Sequence, residues 1–190
     1  MEKKKLIVAA TGASGMPLCV RCLRLLREDP GFSAALIVSP SARLTLAQET
    51  ALTLPELESL ADEVFAPDEV GAGPASGSYR TAGMLIVPCS MKTAAGIRSG
   101  YADSLILRAA DVTIKEQRPL VLAARETPMS AIHLQNLADL SRLPGVRIIP
   151  PMLTFYHRPE NIEDMVDHIA AKLLEPFGVE VRGYRRWNGL

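Results

Sequence analysis

Short, continuous apolar runs recur along the chain, each ending in small or hydroxylated residues and followed by a longer stretch of helical periodicity. Runs that are apolar at every position, not at every second one, belong to strands covered on both faces, as in a parallel sheet. They fall at Leu6–Ala10, Ala34–Val38, Met84–Pro88, Leu120–Ala124 and Val146–Ile149, with Val64-Phe65 a brief addition. Between them the periodicity predicts helices over Met16–Arg27, Ser104–Gln117, Met129–Leu143 and Asn161–Leu174. Further helices follow Ser39-Pro40-Ser41, ending near Gln48-Glu49, and follow Cys89–Thr93. A short one opens on the capping box Thr53-Leu-Pro-Glu56 and runs to Ala61. Pro17 suits a first turn, and Pro144-Gly145 a stop. In the last helix, Ile162, Met165, Val166, Ile169 and Leu173 form the inward face.

Strand and helix alternate throughout, without repeats or low-complexity segments. That pattern predicts an α/β doubly wound parallel sheet of about six strands with helices on both faces. We read a single domain over residues 1–178 and a C-terminal tail over 179–190 that drapes over its own domain or a partner subunit. The centre of the reading is Met84–Leu134. Two buried strands there run into the polar clusters Cys89-Ser90-Met91-Lys92-Thr93 and Arg125-Glu126-Thr127-Pro128, and both clusters open helices. Ligands of open parallel sheets bind at the carboxyl ends of strands, where free helix N–H groups hold anions. Hydroxyls, a lysine and an Arg-Glu pair at such ends suit a phosphorylated ligand.

Composition narrows the partners. Lys plus Arg and Asp plus Glu both number 21, so charge predicts neither nucleic acid nor an acidic membrane. Charges interrupt every apolar run before the ~18 residues of a membrane helix. The start, Met1-Glu2-Lys3-Lys4-Lys5, leads into a strand and not into a secretory h-region. Three cysteines make no disulfide framework, which points to a reducing, cytoplasmic setting. Cys19 and Cys22 form a C-x-x-C inside a predicted helix, where two small apolar residues on one face are the simpler reading.

Several residues carry both a chemical and a bland reading. Gly12-Ala13-Ser14-Gly15 lets a backbone approach a ligand, yet it is not G-x-G-x-x-G and such turns often serve geometry alone. Ser39 ends a strand with a hydroxyl and equally suits an N-cap. The Gly/Pro/Ser-rich loop Asp68–Tyr79 precedes the Met84 strand and can cover the crevice or meet a neighbouring subunit. Arg108 and Lys115 share a helix face as solvated charges, and His157 reads as a surface residue.

In order, the motifs TGASG, VSPSAR, ASGSYRT, PCSMKT, GYAD, RAADV-x-x-KE, RPLVL, RETP, IHLxN and PP…FYHRP span nearly the whole chain. Together they resemble the flavin prenyltransferases, the UbiX-like family that includes small subunits associated with aromatic-acid decarboxylases. The resemblance implies a Rossmann-like subunit in a cytoplasmic homo-oligomer, a dodecamer. It implies transfer of a dimethylallyl group from dimethylallyl phosphate to N5 and C6 of reduced FMN, without metal. Prenylated FMN would then pass to a separate decarboxylase. Carried onto this chain, it places FMN on Gly12, Ala13, Ser14, Ser39, Ser90, Met91, Lys92, Thr93 and Arg125. The prenyl phosphate falls to Tyr156, Lys172, Lys115, Glu126 and an Arg108 from a neighbouring subunit, with Ser14, Glu126, Lys115 and Glu49 as catalytic residues. Lys172 stands where many relatives carry arginine, keeping charge but losing the bidentate fork.

Three alternatives stand beside this. An FMN-dependent decarboxylase of the phosphopantothenoylcysteine type would carry an early histidine, and His133 is the first here. A non-catalytic FMN carrier subunit is the second. The third, an NAD-binding module, lacks its glycine fingerprint. Whether the donor is a phosphate or a diphosphate stays open at this point.

Overall fold

The computed structural model describes residues 3–184, 186 and 189. Six strands build one parallel sheet: β1 (Lys4–Ala10), β2 (Phe32–Val38), β3 (Glu63–Phe65), β4 (Gly83–Cys89), β5 (Leu120–Ala124) and β6 (Val146–Ile148). Among the described residues seven α-helices connect or flank them. They are α1 (Met16–Glu28), α2 (Pro40–Glu49), α3 (Leu54–Glu58), α4 (Met91–Ser99), α5 (Leu105–Lys115), α6 (Ala131–Ser141) and α7 (Ile162–Leu174). The doubly wound α/β fold predicted from the apolar runs is the fold observed.

Across the sheet the order is β3-β2-β1-β4-β5-β6. The chain begins in the middle, winds outward to β3, crosses to β4 and winds to the other edge. Alternate side chains divide the core. Leu6, Val8 and Ala10 face α1, α2 and α7 beside Leu23, Leu36, Leu46, Leu85 and Leu173. Ile7 and Ala9 face α4, α5 and α6 beside Ile86, Leu105, Ala109, Leu122 and Leu140. Each such large side chain stabilises the fold by ~1.5–3 kcal/mol through burial. Winding reverses between β1 and β4, so their following helices leave on opposite faces and a crevice opens at the carboxyl ends of these strands.

Some predicted details shift. Ile162 is 73% exposed and not inward, because it is the first residue of α7 and the helix meets the core only from Val166 and Ile169 onward. The α3 helix stops at Glu58, short of Ala61. The Asp68–Tyr79 loop does not cover the crevice. It runs along the outside of α5: the Leu105 N–H donates to the Pro67 carbonyl at one end (2.8 Å). At the other end Arg118 donates to the carbonyls of Gly77 (2.7 Å) and Tyr79 (2.8 Å). Cys19 and Cys22 are fully buried in α1 and unbridged, and burial pushes the Cys19 thiol up to about 12, as inert apolar residues require. The tail packs back on the domain through buried Val179 and half-buried Val181, while Arg185 and Trp187 lie outside the described residues.

Candidate active site

Three strand-to-helix turns converge where winding reverses. At the first, after β1, the N-terminus of α1 is already taken. Glu49, the last residue of α2, accepts the N–H groups of Gly15 and Met16 at 2.8 Å each. Pro17 has no N–H to offer, and Leu18 N–H donates to the Gly15 carbonyl. Glu49 also accepts the Ser14 hydroxyl and lies in the field of Arg125. Partial burial works to raise its pKa, but the hydrogen bonds from Ser14, Gly15 and Met16 and the Arg125 charge outweigh this and hold the carboxyl below its ordinary range. An anion therefore cannot use α1, the helix end that carries pyrophosphate in dinucleotide-binding folds. Of the three strand ends expected to offer N–H groups to a flavin phosphate, this one is closed.

The other two are open. Ser39 caps α2, its oxygen accepting the Ala42 N–H at 3.1 Å, and Ser90 caps α4, accepting the Thr93 N–H at 3.3 Å. The capping reading of Ser39 is thus correct, and it does not exclude the chemical one, since a hydroxyl that accepts still has a hydrogen to donate. First-turn N–H groups at Ser41, Met91 and Lys92 have no intrahelical acceptor. Gly12 is required where it stands, because a Cβ there would collide with the Ser41 side chain. Arg125 and Glu126 follow β5; the Glu126 carboxylate accepts the neighbouring Thr127 N–H (3.0 Å) and Arg125 N–H donates to the Cys89 carbonyl (3.1 Å). This cradle of two helix N-termini, small residues and one guanidinium suits a single phosphate. The residues present fit FMN.

One set of predicted residues is brought together here: Gly12, Ala13, Ser14, Ser39, Glu49, Ser90, Met91, Lys92, Thr93, Arg125 and Glu126. Another is not. Lys115 ends α5, a helix of 11 residues and so ~16 Å long that runs away from the crevice. There it pairs with Glu116 beside Gly77, near the amino end of β4. Lys172 lies in the last turn of α7 and pairs with Glu175; just beyond, Phe177 packs on Gly83, the first residue of β4. Arg108 sits on the outer face of α5, paired with Asp111 at 2.6 Å. Tyr156 is 80% exposed on the extended segment after β6, alongside exposed Met152, Leu153 and Phe155. Its neighbour His157 is no simple surface residue. The imidazole stacks on His168 of α7 (centroids 4.1 Å, interplanar angle 3°) and anchors the segment from which Tyr156 projects.

Sequence reasoning missed two contributors. The part of Ser41 beside Gly12 has no signal outside the fold. Thr11, singled out for nothing, ends a buried run and its hydroxyl joins two of the turns (below).

The turns, the two open helix N-termini and the closed α1 end go with one class: the chain belongs to the flavoprotein family, whose model matches residues 1–174. Within it, the chain's place is with the UbiX-like flavin prenyltransferases. A probable UbiX-like flavin prenyltransferase of Streptomyces sp. (strain D7) is 50% identical over 186 residues, 98% of this chain and 92% of that one. Two solved structures superpose closely. AnUbiX (PadA1), in complex with FMN and dimethylallyl pyrophosphate, gives a TM-score of 0.96 at 41% identity over the whole of both chains. The dodecameric FMN-dependent Ubix-like decarboxylase from Escherichia coli O157:H7 gives 0.95 at 50% identity, covering 97% of this chain and 100% of that one.

Proposed function

We propose that this protein is a flavin prenyltransferase that moves a dimethylallyl group from dimethylallyl phosphate onto N5 and C6 of reduced FMN, supplying prenylated FMN to a separate aromatic-acid decarboxylase. The observation that carries this reading is the pairing of two open helix N-termini with Ser14 held by Glu49 under the Arg125 charge. FMN, when bound reduced, supplies the nucleophilic N5 and C6. The chain's own groups do the rest. The Ser14 hydroxyl, fixed by Glu49, is a positioned hydrogen-bonding group at the inner wall of the cradle. Arg125 and the open N-termini of α2 and α4 hold negative charge. Glu126, at the mouth, is placed to take or give a proton as phosphate departs.

Phosphate departure builds negative charge that needs cations around it. Lys115, Arg108 and Lys172 are the expected cations, and their own fold points them away from their own crevice. The site is therefore complete only between copies of the chain, with Tyr156, Lys115, Arg108 and Lys172 delivered to a neighbour's crevice in a homo-oligomer, a dodecamer. The exposed Met152–Tyr156 segment supports this, since apolar side chains of that size gain by burial against another subunit.

Anaerobic incubation with reduced FMN and dimethylallyl phosphate, followed by mass spectrometry of the extracted flavin, tests the reading. One added dimethylallyl unit is expected, and dimethylallyl diphosphate in a parallel arm reports donor choice. Unmodified flavin with either donor, from protein that binds FMN, would overturn it in favour of a carrier.

A further inference from the structure

The centre of the sheet contains a buried hydroxyl that the proposed chemistry does not use. Thr11 closes β1 and is 3% exposed. Its hydroxyl donates to the Pro88 carbonyl (2.9 Å) and accepts the Ser90 N–H (2.8 Å). Its own N–H also donates to the Pro88 carbonyl, at 3.1 Å. These bonds cross the gap between β1 and β4, where the winding reverses and the crevice opens. The need for them is local. Pro88 has no N–H, the register of β4 against β5 shifts between Ile86 and Cys89, and the ladder ends at the Cys89–Ala124 pair, so the first N–H past the strand, that of Ser90, turns to the Thr11 hydroxyl for its acceptor. A half-buried N–H at a strand end gains from one. From Ser90 the chain of bonds continues: its hydroxyl meets the Thr93 hydroxyl at 3.1 Å and accepts the Thr93 N–H.

We propose that Thr11 is a positioning residue for the flavin: its hydroxyl locks the β1 turn (Gly12–Ser14) to the β4 turn (Ser90–Thr93) and so sets the distance between the two walls of the FMN cradle. It touches no ligand itself. By occupying the Ser90 N–H it leaves Met91 and Lys92 as the backbone donors of that turn. The inference deepens the flavin reading and rests on it.

Thr11→Val keeps the shape and removes both hydroxyl bonds; Thr11→Ser keeps them. Flavin titration of the full-length oligomer should show FMN affinity at least tenfold weaker for Thr11→Val and within about threefold of wild type for Thr11→Ser. A merely structural threonine would lower the melting temperature in Thr11→Val without moving FMN affinity, and that result overturns the proposal. Where Thr11→Val does not fold, amide hydrogen exchange on the wild type decides. The Ser90 amide is expected to be protected with and without FMN, whereas Met91 and Lys92 gain protection only on adding it. A Ser90 amide that exchanges freely until FMN is added would instead be a flavin donor, and the proposal falls. Wild-type protein that takes up no FMN at all overturns the flavin reading together with this one, an outcome distinct from equal affinity in wild type and Thr11→Val.

Discussion

A serine that caps a helix has one oxygen and one hydrogen to place, and Ser39 and Ser90 both give the oxygen to their own helices. Replacing either by alanine should cost about 1 kcal/mol of stability as a lost cap. If the remaining hydrogen serves the flavin phosphate, FMN binding should weaken by a further ~1–3 kcal/mol. Ser104 provides the control. It caps α5 in the same way, through the Leu107 N–H, but stands outside the cradle. Ser104→Ala should lower the melting temperature alone, whereas Ser39→Ala and Ser90→Ala lower both it and flavin affinity; equal affinities in all three would return the serines to capping only. Glu49 makes a different case, because its carboxylate stabilises the folded chain through a depressed pKa. A depressed carboxyl contributes stability above its unfolded pKa and loses it as pH falls through the folded one. In FMN-free protein the advantage of wild type over Glu49→Gln should be full at neutral pH and shrink as pH drops from about 5 toward 3. A melting-temperature difference that does not change with pH would show that Glu49 acts there by shape only.

At the scale of elements, what was legible follows from what is local. The central strands announced themselves because both of their faces are buried, as at β4, where all seven residues are inside, whereas the edge strands β3 and β6 are only partly covered. Two helix starts were legible by their caps for the same reason, at Ser39 and in the Thr53–Glu56 box: a cap bond spans only three residues. The strand order was not legible, since pairing is decided between segments far apart in sequence. Nor was the course of the Asp68–Tyr79 loop, whose anchor Arg118 lies 41 residues beyond Gly77. Glu49 at the mouth of α1 is a similar case, an end-to-end meeting of two helices that no spacing encodes. The loop gives the prediction at this scale. Arg118 is mostly buried and holds the Gly77 and Tyr79 carbonyls, and Tyr79 in turn donates its hydroxyl to Glu63 (2.9 Å). Arg118→Met should free residues 76–80, seen as faster limited proteolysis there, and destabilise the chain by roughly 1.5–3 kcal/mol, the usual worth of charged hydrogen bonds. Because the loop runs beside α5 and not over the crevice, FMN affinity of the assembled protein should hold unless the loop forms part of a subunit contact, which the oligomeric mass would report.

At the scale of the whole molecule, one feature of the candidate site was readable in advance and went unread. Helices of a parallel α/β sheet run opposite to the strands, so a residue in the last turn of α5 or α7 must sit at the far end from the crevice. Lys115 and Lys172 are such residues. Within one chain they lie far from Arg125 and Glu126, and the proposed function therefore has a neighbour supply them. A mixing experiment tests this directly. Glu126→Gln damages the crevice side of every site, and Lys115→Met damages the side that a neighbour is proposed to provide. Each variant alone should bind FMN yet form little prenylated flavin. Co-expressed with different tags and purified through both, the two should assemble into mixed oligomers in which a share of crevices has an intact Glu126 from one copy and an intact Lys115 from another. Those oligomers should regain prenyl transfer, whereas the same proteins mixed after separate assembly should not until subunits exchange. If the site instead lay within one chain, every site would keep one of the two lesions, and mixed oligomers of confirmed composition would stay as inactive as their parents.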